Sequence, residues 1–168
     1  RWTVQTTTGR ISAAALLLAT NGYLAPVSGL EKPEYTPVFY FQMATEPLSA
    51  DRLKTLLPGG EGCWDTAMVM SSFRRDAAGR LIIGGMGSLD HPGAAVHRRW
   101  LKRKLAQLFP DLADAPLQHA WSGRIAMTGD HIPKAVRIGP RGLSIHGYSG
   151  RGIGPGTLFG RAAALCLL

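Results

Sequence analysis

The sequence predicts an α/β fold that is interrupted by an α+β insert. A largely apolar run over residues 11–19 is typical of a strand that is buried on both faces of a parallel sheet, with a short buried helix as the alternative. Hairpin-like strands with turn residues between them fill the middle of the chain. A glycine-rich turn near the end leads into an Ala- and Leu-rich helix. The order of elements is therefore sheet, helix, sheet and terminal helix.

The first part of the chain is expected to form a strand, a tight turn at Thr8 and Gly9, and a long apolar strand that ends at Thr20-Asn21-Gly22. A linker rich in Pro and Gly occupies residues 26–37. The β-branched and aromatic run over residues 38–45 predicts another strand. A short helix follows, with Ser49 as its N-cap and Pro58-Gly59 as its stop.

The middle and the end of the chain alternate between strand and helix patterns. A hairpin is predicted from a strand at 67–73, a turn at 76–79 and a strand at 80–84. An amphipathic helix is predicted over residues 97–109, because one side of it is apolar at a period of 3.6 residues. That side comprises Trp100, Leu101, Leu105, Leu108 and Phe109. Strands are predicted at 117–128, 134–139 and 142–148, before the terminal helix.

Composition limits the classes of function. Hydrophobic residues make up 45% and charged residues 18% of 168 residues, which indicates a globular chain and not a disordered one. No apolar run approaches the ~20 residues that span a bilayer. Cys63 and Cys166 match no metal spacing, which favours reduced thiols, a cytoplasmic location and no metal site.

The net charge of +8 is concentrated on the helix at 97–109. Its cationic side is interpreted as a solvated face, with an anionic ligand or a partner surface as the alternatives. A nucleic-acid-binding function rests on charge alone and ranks last, since the sequence shows no motif of that kind.

The glycine-rich segment raises a question of its own, because it fails the spacing of a dinucleotide fingerprint. The spacing G-x-G-x-x-G meets Pro155, Thr157 or Phe159 at its last position, depending on the first glycine chosen. A strand, a glycine turn and a helix N-terminus still direct backbone N–H groups at one point, and Arg151 adds a charge there. A purely structural turn is the alternative. The histidines show no ligand spacing and no catalytic residue can be assigned, which suggests that a cofactor supplies the chemistry.

Three stretches, taken together, resemble a known family: residues 15–23 (ALLLATNGY), 121–133 (WSGRIAMTGDHIP) and 147–164 (GYSGRGIGPGTLFGRAAA). In this order they are similar to FAD-dependent oxidoreductases of the D-amino-acid-oxidase type, and most of all to the bacterial γ-glutamylputrescine-oxidase-like members. The resemblance identifies the chain with the C-terminal half of such an enzyme. It implies part of a Rossmann-like FAD domain at 1–25, an antiparallel substrate domain at 26–120, and a return to the FAD domain at 121–168.

The resemblance also implies which residues form the site. The residues expected at FAD are Ala19, Thr20, Asn21, Gly22, Gly123, Gly147, Gly150, Arg151, Gly152, Ile153 and Thr157. The substrate pocket is expected to include Phe39, Tyr40, Trp121 and Arg124. Strand alternation places Phe39 and Phe41 on one face and Tyr40 on the other, and leaves open which of the two faces the flavin.

The substrate expected from the resemblance is a small-molecule amine. Where the amino-acid oxidases of the family carry a carboxylate-binding arginine, this chain has Ile125, and Arg124 stands one residue early on the opposite face of a strand. The implied reaction passes a hydride from the substrate C–H to flavin N5, after which the imine hydrolyses. The family's N-terminal G-x-G-x-x-G and ribose-binding acidic residue are absent from this sequence, so the chain alone is expected to bind FAD poorly. A non-catalytic, truncated or partner-binding module is the alternative.

Overall fold

The computed structural model describes residues 1–27, 29–67 and 70–168, which form two units. Unit 1 comprises Arg1–Val38 and Arg124–Leu168, and unit 2 comprises Phe39–Gly123. The fold is mixed α/β with antiparallel pairing in both units, as the sequence predicts. The assignment of segments 1–25, 26–120 and 121–168 to functional domains stays a prediction.

Unit 1 begins with a two-stranded hairpin of β1 (Trp2–Gln5) and β2 (Arg10–Ala13). The Thr6 N–H donates to the Gly9 carbonyl at 2.8 Å, which confirms the tight turn. The prediction of one long strand over 11–19 is wrong. The chain bends after Ala13, and a separate strand, β3 (Leu16–Leu18), follows. The reason is a change of partner: β2 pairs with β1, whereas β3 pairs with a strand near the end of the chain.

The second sheet of unit 1 contains β3, β9 (Lys134–Gly139) and β10 (Gly142–His146). The central strand β10 runs parallel to β3 and antiparallel to β9. Because β3 is an edge strand of this sheet, it is only half-buried, and not buried on both faces as predicted. Helix α3 (Ile153–Leu167) lies against β10 and β3.

Unit 2 is built on a five-stranded sheet with one helix packed on it. The strands lie in the order β5 (Cys63–Trp64), β6 (Ser72–Arg75), β7 (Leu81–Met86), β4 (Thr36–Thr45) and β8 (Leu117–Met127). One end of β4 and one end of β8 extend into unit 1. Phe41, Met43 and Ile83 of the sheet are fully buried against Leu101 of α2 (Ala94–Leu108). Full burial of one such side chain contributes about 1.5–3 kcal/mol to stability.

The remaining predicted elements agree with the structure in type more closely than in length. Helix α2 is amphipathic as predicted, with Leu101 and Leu105 buried, but it begins one turn earlier than residue 97. Helix α1 (Ala50–Thr55) has Ser49 at its N-cap position, although the Ser49 hydroxyl makes no capping bond. The turn at 76–79 is confirmed by the bond from the Gly79 N–H to the Asp76 carbonyl.

The strand predicted at 67–73 falls partly on Met68 and Val69, outside the described residues; β6 begins at Ser72. Within the described ranges, no helix combines the length and the apolar character needed to cross a bilayer.

Candidate cofactor site and substrate surface

The carboxyl ends of the two parallel strands of unit 1 are tied together by a side chain. The Asn21 Oδ1 atom, just after β3, accepts a hydrogen bond from the Gly147 N–H, just after β10, at 2.9 Å. Asn21 has a φ of 46°, a left-handed conformation that Asn tolerates better than most residues. The structure therefore brings together two of the segments that the sequence assigns to the site, residues 19–22 and residues 147–152.

The turn after β3 also packs tightly on β8. Gly22 is buried, and a Cβ atom there would lie 2.7 Å from the Arg124 carbonyl oxygen, so that only glycine fits. The Tyr23 hydroxyl accepts a hydrogen bond from the Arg124 N–H at 3.0 Å. The Arg124 guanidinium lies 4.8 Å from the centre of the Tyr23 ring, within range of a cation–π interaction. Arg124 is therefore engaged with an aromatic ring inside unit 1.

The glycine-rich segment has an irregular backbone that is held by side-chain bonds. Gly147, Ser149 and Gly150 have φ values of 81°, 51° and 85°. The Ser149 N–H donates to the Ala126 carbonyl at 3.1 Å. The buried Ser149 hydroxyl donates to the Gly147 carbonyl and accepts from the Thr128 N–H, each at 3.2 Å. These bonds fix the path of the chain before α3 begins.

The N-terminus of α3 is open. The first helical bond runs from the Gly156 N–H to the Gly152 carbonyl, which leaves the N–H groups of Ile153 and Gly154 without an intrahelical acceptor. Among the described residues outside the neighbouring backbone, none comes within 4 Å of a Cβ built on Gly154, and for Gly150 the nearest atom is Ile125 Cδ1 at 3.9 Å. The Ile153 side chain is 93% exposed. Backbone donors at the positive end of a helix dipole are thus accessible here.

The other residues predicted at the cofactor have more varied positions. Ala19, Thr20 and Arg151 are exposed. The Thr157 hydroxyl donates to the Ile153 carbonyl at 3.0 Å, so its proton is already used within α3. Gly123 is the last residue of unit 2.

A buried histidine precedes the glycine-rich segment. His146 is 5% exposed, and within the described part of the chain its Nδ1 atom has no hydrogen-bond partner. Burial, and then the charge of Lys134, lower the pKa of His146 from 6.5, so that the ring is neutral at pH 7. Lys134 pairs with Asp130 and holds the pKa of that carboxyl at about 2. His146 also lines a cavity of about 1030 Å³ within unit 1.

In unit 2, the structure separates the two faces of β4. Phe41 is buried in the core against Trp100 of α2, so the face it shares with Phe39 is the packing face. Tyr40 lies on the opposite face, and its hydroxyl donates to the Ser72 Oγ atom at 2.8 Å. Phe39 and Trp121 are each 43% exposed. Three of the four predicted pocket residues, Phe39, Tyr40 and Trp121, belong to unit 2, and the fourth, Arg124, belongs to unit 1.

Sequence reasoning missed several residues that build the site. Tyr23, Thr128 and Ser149 hold the backbone of the two turns, and none of them carried a signal of charge or spacing. The available signal was their position in the sequence, because all three lie inside the stretches that carry the family resemblance, residues 15–23, 121–133 and 147–164.

The sequence matches a known class of redox protein. A profile of the family described as "FAD dependent oxidoreductase" matches residues 1–165. The chain belongs to this DAO family of FAD-dependent oxidoreductases.

Two curated relatives and one solved structure illustrate the similarity. The chain is 32% identical to "Probable oxidoreductase OrdL" of Rhizobium meliloti over 150 residues, covering 89% of this chain and 35% of that protein. It is 28% identical to "Gamma-glutamylputrescine oxidoreductase" of Escherichia coli over 165 residues, covering 96% of this chain and 38% of that protein. The chain therefore spans little more than a third of these relatives.

Glycine oxidase from Geobacillus kaustophilus has a similar fold, with a TM-score of 0.64 at 22% identity; the match covers 90% of this chain and 40% of that structure.

The residues of unit 1 fit the cofactor that the family implies. The pyrimidine edge of a flavin carries carbonyl and ring-nitrogen acceptors, which need N–H donors in an accessible arrangement. The N–H groups of Ile153 and Gly154 at the start of α3 have no intrahelical acceptor and are such donors. This chain offers no G-x-G-x-x-G turn for the pyrophosphate of FAD.

Proposed function

We propose that this chain supplies the flavin-facing turn and part of the substrate surface of an FAD-dependent enzyme that oxidises an amine. The observation that carries the proposal is the open N-terminus of α3, which follows a glycine-rich segment whose first residue, Gly147, is hydrogen-bonded to Asn21 at the end of β3. The family match supports the choice of FAD among electron-rich cofactors. When bound, FAD supplies the hydride acceptor.

The proposed role of the glycine-rich segment is electrostatic. The N–H groups of Gly152, Ile153 and Gly154 are proposed to donate to the pyrimidine edge of the ring, and the exposed Arg151 adds a fixed positive charge. Negative charge that develops on this edge during reduction is stabilised by donors that are already oriented. Gly147 and Gly150 permit the left-handed backbone that turns these donors outward.

The other proposed cofactor contacts frame this turn. Asn21 and Gly22 hold the end of β3 close to it, and Ala19, Thr20 and Thr157 are proposed to line its rim. Thr157 acts through the backbone of the first turn of α3, because its hydroxyl donates to the Ile153 carbonyl.

The substrate is proposed to be an amine without a clamped α-carboxylate. Ile125 cannot bind a carboxylate, and the neighbouring Arg124 is engaged with the Tyr23 ring. Tyr40 and Trp121 are proposed as pocket walls. Phe39 remains a weaker candidate, because it shares the packing face of β4 with Phe41. The relative named for γ-glutamylputrescine takes its name from a compound with an amino group, which supports an amine.

The test uses the full-length protein that carries this chain. The purified protein should show the absorbance of oxidised flavin, and anaerobic addition of primary and secondary amines should bleach it. α-Amino acids of the same size should reduce the flavin more slowly, because their carboxylate has no clamp. A colourless protein, or a flavin that no amine reduces, contradicts the proposal.

A partner-binding module is the second candidate, and one observation favours it. Four cations of α2 are exposed: Arg98, Arg99, Lys102 and Arg103. Like charges at i and i+4 destabilise a helix by about 0.2–0.5 kcal/mol per pair, so helix stability does not explain them. Salt-sensitive retention of an acidic partner by a protein without flavin would favour this candidate over the enzyme.

A further inference from the structure

One side of helix α2 carries a dense group of cations. Arg98, Arg99, Lys102 and Arg103 lie within two turns, and their side chains are exposed. Residues three and four apart on a helix are neighbours, so these side chains form one surface, which we call the basic face of α2. The segment Ala94–Leu108 contains no acidic residue that could neutralise this face from within the helix.

The basic face also lacks a counter-charge from the rest of the protein. Lys104, the fifth cation of α2, is partly buried and pairs with Asp65 at 2.8 Å. For the cations of the basic face, no carboxylate lies within 4 Å in the ranges that the structure describes. Their mutual repulsion is therefore uncompensated, and an external anionic surface would relieve it.

The opposite side of α2 fixes the orientation of the basic face. Leu101 and Leu105 are buried in the two core clusters of unit 2. Trp100 contacts the ring of Phe41 edge-on, with 6.0 Å between the ring centres. Because the apolar side of the helix is already used within unit 2, only the basic face is available to a partner.

An exposed apolar side chain lies among the cations. Val96 is 67% exposed. Val96, Arg99 and Arg103 follow each other at i, i+3 and i+7, so they share one side of α2. An apolar side chain beside several cations is typical of a helix that lies at the interface between water and lipid.

We propose that the basic face of α2 binds the surface of a membrane that contains anionic phospholipids. The arginine guanidinium groups bind the lipid phosphates, since a guanidinium matches the geometry of a phosphate and stays charged. Val96 reaches the boundary between the headgroups and the acyl chains. A cluster of at least four Lys or Arg residues on a helix is the pattern that anionic lipids recognise. This proposal concerns unit 2 alone and does not depend on the proposed function.

Other partners fit the basic face less well. The centre of a protein interface is rich in aromatic residues and poor in charged ones, whereas the exposed residues of α2 include four cations and no aromatic residue. Single-stranded nucleic acids are bound by cations together with aromatic side chains on which the bases stack. A second copy of this chain also carries a net charge of +8 and repels the first.

The proposal is tested by sedimentation of the full-length protein with vesicles of phosphatidylcholine, either alone or mixed with phosphatidylglycerol. Wild type should bind the mixed vesicles, and about 1 M salt should largely release it, because the Debye length then falls to about 3 Å. Arg99→Gln and Arg103→Gln should each lower the partition coefficient about 5-fold, and the double variant roughly 25-fold. Equal binding of both kinds of vesicle, or equal binding of the double variant and wild type, overturns the proposal.

Arg74→Gln is the matched control for the loss of charge. Phe73 packs into the core on the α2 side of the sheet, so the adjacent, exposed Arg74 points to the other face. Arg74→Gln should therefore leave vesicle binding unchanged. A loss as large as that of Arg99→Gln shows that net charge alone drives binding, and it contradicts the assignment to α2.

Val96→Ser distinguishes a membrane from other polyanions. It keeps every cation but removes the apolar side chain, so it should lower the partition coefficient for mixed vesicles roughly 5-fold. Binding to duplex DNA and to polyglutamate, measured at equal concentrations of anionic charge, should be weaker than binding to the vesicles and should not change in Val96→Ser. Tighter binding to either polyanion, or an unchanged partition coefficient in Val96→Ser, overturns the assignment to a membrane.

Discussion

The substitution Gly154→Ala separates the stability of α3 from its proposed role at the flavin. Gly154 is the second residue of α3, and beyond the neighbouring helix backbone no described residue lies within 4 Å of the added Cβ. Replacing a glycine by alanine in an unobstructed helical position stabilises a protein by about 0.5–1 kcal/mol. The added methyl group, however, covers a backbone N–H that is proposed to face the ring.

We therefore expect Gly154→Ala to raise the free energy of unfolding and to weaken flavin binding at the same time. Loss of one hydrogen bond to a neutral acceptor of the oxidised ring, about 0.5–1.5 kcal/mol, corresponds to a roughly 2- to 12-fold increase in the dissociation constant. The assay is a titration of the full-length apoprotein with FAD, followed by flavin fluorescence, beside urea denaturation of the same sample.

Gly160→Ala is the matched control for this substitution. Gly160 lies in the middle of α3 and also has no protein atom within 4 Å of its Cβ position. It should give the same gain in stability with unchanged FAD affinity. Normal FAD affinity in Gly154→Ala refutes the placement of α3 at the flavin. Equal losses of FAD affinity in both variants indicate an effect of the whole helix and not of its N-terminus, which also contradicts the proposal.

Two further predictions concern the bonds that hold each unit. Asn21→Ala should lower the free energy of unfolding by about 2–3 kcal/mol, because it removes the bond to Gly147 and places alanine at a positive φ. Asn21→Gly removes the same bond but tolerates the positive φ, so urea denaturation should show a loss of only about 1 kcal/mol. An alanine variant that is at least as stable as the glycine variant would be inconsistent with this account. Hydrogen bonds from Lys104, and to a smaller extent from Ser71, hold the pKa of Asp65 in the folded protein well below 3.8. The ionised Asp65 therefore stabilises the folded protein above pH 4, and this stabilisation is lost as pH falls from 3.8 toward the lower, folded-state pKa. The urea midpoint of wild type should therefore exceed that of Asp65→Asn at pH 7, and the two midpoints should converge at low pH. A difference between the two midpoints that is the same at all pH values would contradict this.

Local pattern predicted most elements of the fold, because most of them form through local or neighbouring contacts. The helix α2 was evident from the spacing of Leu101 and Leu105, and both are buried. The error over residues 11–19 has a physical cause. Apolar character indicates burial but does not identify the pairing partner, and here the chain changes partner after Ala13.

The site was less predictable than the fold, because its geometry depends on contacts that are distant in sequence. Asn21 was proposed at the cofactor, but its bond to Gly147 joins residues 126 positions apart. The hydroxyl of Tyr40 donates to Ser72, 32 positions away in the sequence and on the far side of β7. No local pattern indicates either contact. The placement of FAD at Gly150–Ile153 stays a prediction.

The long separation between β3 and β10 has a consequence for the order in which the molecule folds. The three-stranded sheet of unit 1 needs both strands, yet all of unit 2 lies between them in the sequence. Closing a flexible loop of about 120 residues costs roughly 4 kcal/mol of chain entropy. That cost falls once unit 2, whose contacts lie within one continuous segment, has folded and shortened the effective loop. We therefore expect unit 2 to acquire its core first during synthesis, and the glycine-rich turn before α3 to be among the last parts of the chain to become ordered.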